Sequence, residues 1–205
     1  MNTSLSAQQR ALVAQIFETG ARTSVERLTQ LSNTPWIVIS SNVEMMTIAG
    51  ALSAFQSDAI GYLAAHLRAQ PPQSPVPLEC LVMFPRSCVH PLAEAVTAKS
   101  ARLMAVPDRI NAVISEVANI LGQSVVKALA DKLGASIILS VPQVLLGSTS
   151  EILSKTLSRV GGKNDAVILT YVELRSETLS AACSMILVFD VDILRRFPSP
   201  SRLGL

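Results

Sequence analysis

The chain is short of charge and of the residues that metal and nucleophile chemistry need. Of its 205 residues only 16% are Asp, Glu, Lys or Arg, and the formal net charge is +2. No Lys/Arg cluster of the kind that tracks phosphates occurs, so nucleic acid is not an expected partner. The two histidines, His66 and His90, lie far apart without a cysteine or carboxylate cluster, which argues against a metal site. Cys80, Cys88 and Cys183 form no CxxC pair and are odd in number, as expected of buried thiols in a reducing cytoplasm. Gly161-Gly162 precedes Lys163, but no GxxxxGK loop is present, and no GxSxG, HExxH or dinucleotide fingerprint occurs. No apolar run approaches the roughly 18 residues of a membrane-spanning helix, and MNTSLSAQQR lacks the basic start and apolar core of a signal peptide. The expectation is a cytoplasmic protein without membrane insertion.

What is present is apolar. Hydrophobic residues make up 49% of the chain, enough for a sizeable core in one large domain or two small ones. The clearest periodicity lies between Asp108 and Leu129. Ile110, Val113, Ile114, Val117, Leu121, Val125 and Leu129 recur at three- and four-residue spacing and form one face of a helix. Arg109, Ala112, Glu116, Asn119, Gln123 and Lys127 step along the opposite side as a wet stripe. Pro107-Asp108 is a start signal and Gly134 a stop. The following ASIILSVPQVLL reads as a strand, with Pro142 turning the chain after it.

The same plan occurs earlier. An offset of 101 residues (116 − 15) places Gln15 on Glu116, Glu18 on Asn119 and Ser41 on Pro142. Asn33-Thr34-Pro35 breaks the first helix before a strand from Trp36 to Met46. Ala59 to Arg68 reads weakly as a helix, but its counterpart in NDAVILTYVELRS alternates as a strand, so a strand is predicted for both. Gln70 to Pro77, with four prolines, is a loop. Leu78 to Phe84 and Ala182 to Phe189 are paired apolar strands, followed by short helices at Cys88–Lys99 and Asp192–Phe197. Each half thus reads helix, strand, strand, strand, short helix. The chain is read as a single domain over 1–205, built from repeats at about 5–100 and 105–197, with 198–205 a frayed tail. Neither half stands alone, having one long helix to cover one face of three strands.

Glu116-x-x-Asn119-Ile120-Leu121, followed by Pro142 after 22 intervening residues (142 − 119 − 1), resembles the active-site signature of the CheC/CheX/FliY phosphatases. That signature begins with Asp or Ser four residues before the Glu, a position held here by Ala112. The resemblance covers about residues 5 to 197. It implies an α/β (α+β) fold with a pseudo-twofold tandem repeat, a shared six-stranded, largely antiparallel sheet and long helices packed on the outside. It also implies hydrolysis of the aspartyl phosphate of a CheY-like response regulator in chemotaxis or related two-component signalling. The regulator would bring its own Mg²⁺, and the protein would need no cofactor of its own.

In that family the Asn orients the attacking water and the Glu pairs with a Lys of the regulator. Carried over, these roles fall on Asn119 and Glu116, with Pro142 a structural member of the motif. A carboxamide accepts and donates at once but cannot act as a general base, so such catalysis rests on positioning and on charges supplied by the partner. Arg109, Gln123 and Lys127 would edge the docking surface, although a wet helix face accounts for them equally. The first site reads as degenerate. Gln15 has no charge to pair with a Lys, and Glu18 would bring a carboxylate toward a phosphoryl group, a repulsion on the order of 1–4 kcal/mol at about 4 Å. The alternative from another class is a non-catalytic binding module, as in FliM-like flagellar switch domains or CheC-type binding of CheD-like proteins.

Overall fold

The computed structural model describes residues 6–55, 61–70, 78–157, 160, 165–191 and 193. Two long helices open the two halves: α1 (Ala7–Ser32) here, and a later counterpart of nearly equal length. The start of α1 is set locally. Ser6 accepts the Gln9 N–H at 3.1 Å and the Gln9 side chain accepts the Ser6 N–H at 3.0 Å, a reciprocal capping box. Then follow β1 (Ile37–Thr47), α2 (Ile48–Ala54), β2 (Tyr62–Ala69), β3 (Leu78–Pro85), α3 (Arg86–Thr97) and α4 (Ala101–Met104). The second half holds α5 (Arg109–Leu133), β4 (Gln143–Gly147), α6 (Thr149–Leu157), β5 (Ala166–Ser176) and β6 (Ala181–Asp190). Both long helices stop on a left-handed residue, Asn33 (φ 56°) and Gly134 (φ 60°). These two stops are 101 residues apart (134 − 33), the offset of the repeat.

One six-stranded sheet has the order β1-β5-β6-β3-β2-β4, with every pairing antiparallel. Exchanging the halves turns β1 into β4, β2 into β5 and β3 into β6, and the order maps onto itself reversed. This is the pseudo-twofold arrangement. Each half's first strand pairs with the other half's second strand, β1 on β5 and β4 on β2, so neither half owns a complete sheet. The β3–β6 pair lies on the symmetry axis.

Helices cover both faces. Cys80, Val82, Phe84, Leu187 and Phe189 point to a core shared with α1, α3 and α5, and Leu81, Met83, Ile186 and Val188 to a second core under α2 and α6. The α2 and α6 segments are departures from the sequence reading, which had a single helix before the paired strands. Their seven and nine residues are too short to establish a helical period. The short α4 was likewise not foreseen. On the other face α1 and α5 pack against each other, closest where a Cβ on Gly20 would lie 2.7 Å from the Val125 Cα. By length and composition α5 is apolar enough to cross a membrane, contrary to the sequence estimate, but Val113, Ile114, Val117, Leu121, Val125 and Leu129 are all buried in the core.

The strand reading of Ala59–Arg68 holds from Tyr62 onward. The segment ASIILSVPQVLL is mostly not a strand. Only Gln143–Gly147 is, preceded by one isolated bridge between Leu139 and Ala69. The Pro71–Pro77 part of the loop and nearly all of the final Asp192–Phe197 helix lie outside the described residues, as does the 198–205 tail. All three cysteines are free and buried. Burial pushes the Cys80 thiol up to about 12, with the Glu79 charge adding to it.

Candidate functional site

The α5 helix presents its polar stripe because the apolar arc is held down by the sheet and α1. Asp108 caps it, its carboxylate accepting the Asn111 N–H at 3.1 Å. Glu116 is exposed, and makes no ion pair or hydrogen bond among the described residues. Asn119, one turn on and half-buried, accepts from Gln123 Nε2 through Oδ1 at 3.1 Å. This bond holds the carboxamide plane while leaving one Oδ1 lone pair and both N–H groups uncommitted within the chain.

The equivalent positions in α1 carry a different pair. Gln15 and Glu18 are both exposed, and Glu18 is tied to Arg22 at 3.2 Å. Adding 101 to 18 and 22 gives 119 and 123, so the two repeats keep one i, i+4 contact. It is carboxylate–guanidinium in the first and amide–amide in the second. The second-repeat stripe therefore offers a neutral carboxamide beside a lone carboxylate, and the first offers a charged pair already engaged.

Gln123 and Lys127 lie on the rim of a groove of about 670 Å³ that runs past the C-terminal half of α5. Lys127 is paired with Asp131 at 3.0 and 3.1 Å. Arg109 does not join them. It sits at the start of α5, about 10 Å along the axis from Glu116 at 1.5 Å per residue, in a separate recess with His90 and Glu94.

Pro142 is placed differently from its sequence reading. It does not close a strand behind the helix but precedes β4, in a bulge where residues 140–142 face only 67 and 68 of β2. Ser140 ties this segment down, its N–H donating to the Arg68 carbonyl at 2.7 Å and its Oγ accepting the Arg68 N–H at 3.0 Å. Leu139 rests over Gly122, whose Cβ would lie 3.1 Å from the Leu139 side chain, and Val144 and Leu146 share a cavity with Ile110 and Asn111. Pro142 thus lies between a segment that meets α5 at Gly122 and one that shares a cavity with the first turn of that helix.

One polar cluster escaped the sequence reading. Glu79, inside an otherwise apolar strand, is fully buried, bonded to His66 Nε2 and to Arg68 Nε at 2.9 Å. Adjacent antiparallel strands bring them together, since Arg68 and Glu79 are direct partners and His66 lies two residues along on the same face. The only signal in sequence was a charged residue within LECLVMF. Among the described residues no three His, Cys, Asp or Glu side chains converge as metal ligands would.

No protein-family model and no curated protein sequence matches the chain. Solved structures do. The FliY structure of Thermotoga maritima is similar with a TM-score of 0.68 at 14% identity, covering 94% of both chains. The FliM middle domain of H. pylori gives 0.66 at 11% identity, over 94% of this chain and 100% of that one. A chemotaxis protein CheX from Desulfovibrio desulfuricans gives 0.57 at 14%, over 84% of this chain and 97% of that one. This chain has the FliY/FliM/CheX fold. The alignment spans 94–100% of the length of these three relatives.

Proposed function

We propose that the protein is a phosphatase acting on the aspartyl phosphate of a CheY-like receiver domain, with one active site on α5. The observation that carries this reading is the pairing of an unengaged Glu116 with an oriented, uncharged Asn119 one turn away. An acyl phosphate is already activated, and a receiver holding Mg²⁺ on the phosphoryl oxygens supplies the charge neutralisation. What is left is to set a water in line. Asn119 Oδ1 accepts from that water through its remaining lone pair, while Gln123 keeps the carboxamide from rotating. Glu116 forms a charge-assisted bond with a receiver Lys beside the phosphate, fixing the phosphoryl group relative to Asn119. On α1 the same geometry is unusable, because Glu18 is anionic and engaged by Arg22.

The test is release of phosphate from an acetyl-phosphate-charged CheY-type receiver. Asn119→Ala is expected to remove most of the stimulated hydrolysis with the circular dichroism spectrum unchanged, and Glu116→Ala to act mainly on the concentration of receiver needed. Glu18→Ala is expected to do little. Equal losses from Glu18→Ala and Asn119→Ala would refute the one-site reading.

A second reading has its own support. Ala112 stands where the motif has Asp or Ser, and the FliM middle domain is about as similar in fold as FliY. On that reading the stripe only binds, to a flagellar-switch or CheD-like protein. Wild-type protein that binds a receiver without accelerating its dephosphorylation would favour it.

A further inference from the structure

The groove beside Gln123 draws on both repeats. Its wall includes Gln123, Lys127 and Asp131 of α5, Ile137 and Leu139 of the following segment, and Arg27 of α1. Three of these polar groups are spoken for: Gln123 bonds Asn119, and Lys127 and Asp131 bond each other. Arg27 is exposed and has no hydrogen bond or ion pair among the described residues. The uncommitted charge of the groove is therefore a single guanidinium, contributed by the helix whose own motif has degenerated. Gln123 of its wall is the residue bonded to Asn119. In the same segment, two residues on from Leu139 of the groove wall, Val141 is 87% exposed, the most exposed large hydrophobic side chain among the described residues, and Ile138 is 80% exposed.

We propose that Arg27 and Val141 complete the docking surface for the receiver, Arg27 by binding a carboxylate of its acidic phosphorylation pocket and Val141 by covering an apolar patch at its edge. This rests on the phosphatase reading for the identity of the partner. The argument is charge complementarity. A receiver that binds Mg²⁺ around a phospho-aspartate surrounds it with carboxylates. A guanidinium matches a carboxylate in a bidentate fork, and Arg27 is the group in this groove still free to do so. A single exposed valine needs no explanation by itself, but one in the segment that supplies Ile137 and Leu139 to a cationic groove can supply the apolar contact that charged rims surround in protein interfaces. The first repeat then has a place in the site: it lost its own chemistry and kept a specificity contact for the second.

The experiment measures both binding and turnover, with a CheY-type receiver loaded with beryllofluoride for Kd and with acetyl phosphate for KM and kcat. Arg27→Glu is expected to raise Kd and KM about tenfold, with kcat within twofold of wild type and a flatter salt dependence. Arg27→Lys recovers part of the loss. Val141→Ser raises Kd about fivefold. Arg22→Glu makes the same charge change on α1 outside the groove and is expected to leave Kd within twofold. If Arg27→Glu leaves Kd unchanged, or if Arg22→Glu matches it, the docking inference is overturned while turnover lost only in Asn119→Ala keeps the phosphatase reading. Wild type that binds without turnover overturns the phosphatase reading, and the Kd series then decides the docking inference alone. Wild type that neither binds nor hydrolyses overturns both.

Discussion

Substituting Gly20 by Ala tests whether α1 and α5 are pressed together as closely as the fold requires. In an exposed helix that change is stabilising by about 1 kcal/mol, because Ala gives up less backbone entropy. Here the new methyl would lie 2.7 Å from Val125 Cα, 2.8 Å from Val125 Cγ2 and 3.2 Å from its Cβ. Carbon atoms pack comfortably at about 3.5–4.0 Å, so α1 must back away by about 1 Å. The nearest atom is backbone and cannot rotate aside. Moving α1 lifts Val13, Ile16 and Phe17, all buried, off their neighbours. Overpacking of this kind costs about 1–3 kcal/mol, and with the propensity gain of about 1 kcal/mol set against it the net expectation is destabilisation of up to about 2 kcal/mol. For a chain of this length that lowers Tm by up to about 8 °C. Urea unfolding followed by circular dichroism, with a thermal melt beside it, measures the effect. Adding Val125→Ala removes the Cγ2 contact but not the one to Cα, and is expected to offset only part of the strain at Gly20. A Gly20→Ala protein more stable than wild type would refute the close approach, since helix propensity alone would then account for the result.

Asn119→Asp is expected to be nearly as harmful to receiver dephosphorylation as Asn119→Ala, because it puts at position 119 the anion that Glu18 already carries in the first repeat; a rate near wild type would show that water orientation does not depend on a neutral carboxamide. Removing the buried carboxylate with Glu79→Ala leaves His66 and Arg68 without their shared partner and is expected to cost about 3 kcal/mol in urea unfolding; a loss below about 1 kcal/mol would mean that the cluster is not closed to water. Cys80 gives an alkaline limit: burial raises the folded thiol from 9.0 to about 12, so its contribution is fully present below pH 9 and is lost as pH rises from 9 toward 12. That loss is on the order of 4 kcal/mol at most, and in Cys80→Ala the slope of stability against pH over this window, from urea melts, is expected to be shallower than in wild type.

The long helices were legible because their signals are local. An apolar arc from Ile110 to Leu129, an Asp cap and a glycine stop announce α5, and Asn33-Thr34-Pro35 marks the end of α1. The repeat was legible for the same reason, since equal offsets relate residues with equal local roles. Tyr62–Ala69 was recovered as a strand only through its partner in the second half, whose β-branched residues state the pattern more plainly. The short helices α2 and α6 were not, because seven or nine residues cannot display a period against a background this apolar.

What the sequence by itself determined was the two long helices, the paired central strands and which stripe of each long helix stays wet: Glu116 and Asn119 one turn apart follow from spacing and helical geometry alone. What only the tertiary structure decided was everything that depends on non-local pairing. Strand β4 crosses to β2 of the first half, and Pro142 lies in the bulge that leads into it. The β2–β3 register closes Glu79 between His66 and Arg68, and the α1–α5 contact brings Arg27 to the groove of the second repeat. These contacts join residues that lie from about ten to a hundred positions apart, and no local propensity encodes the register or crossing that brings them together.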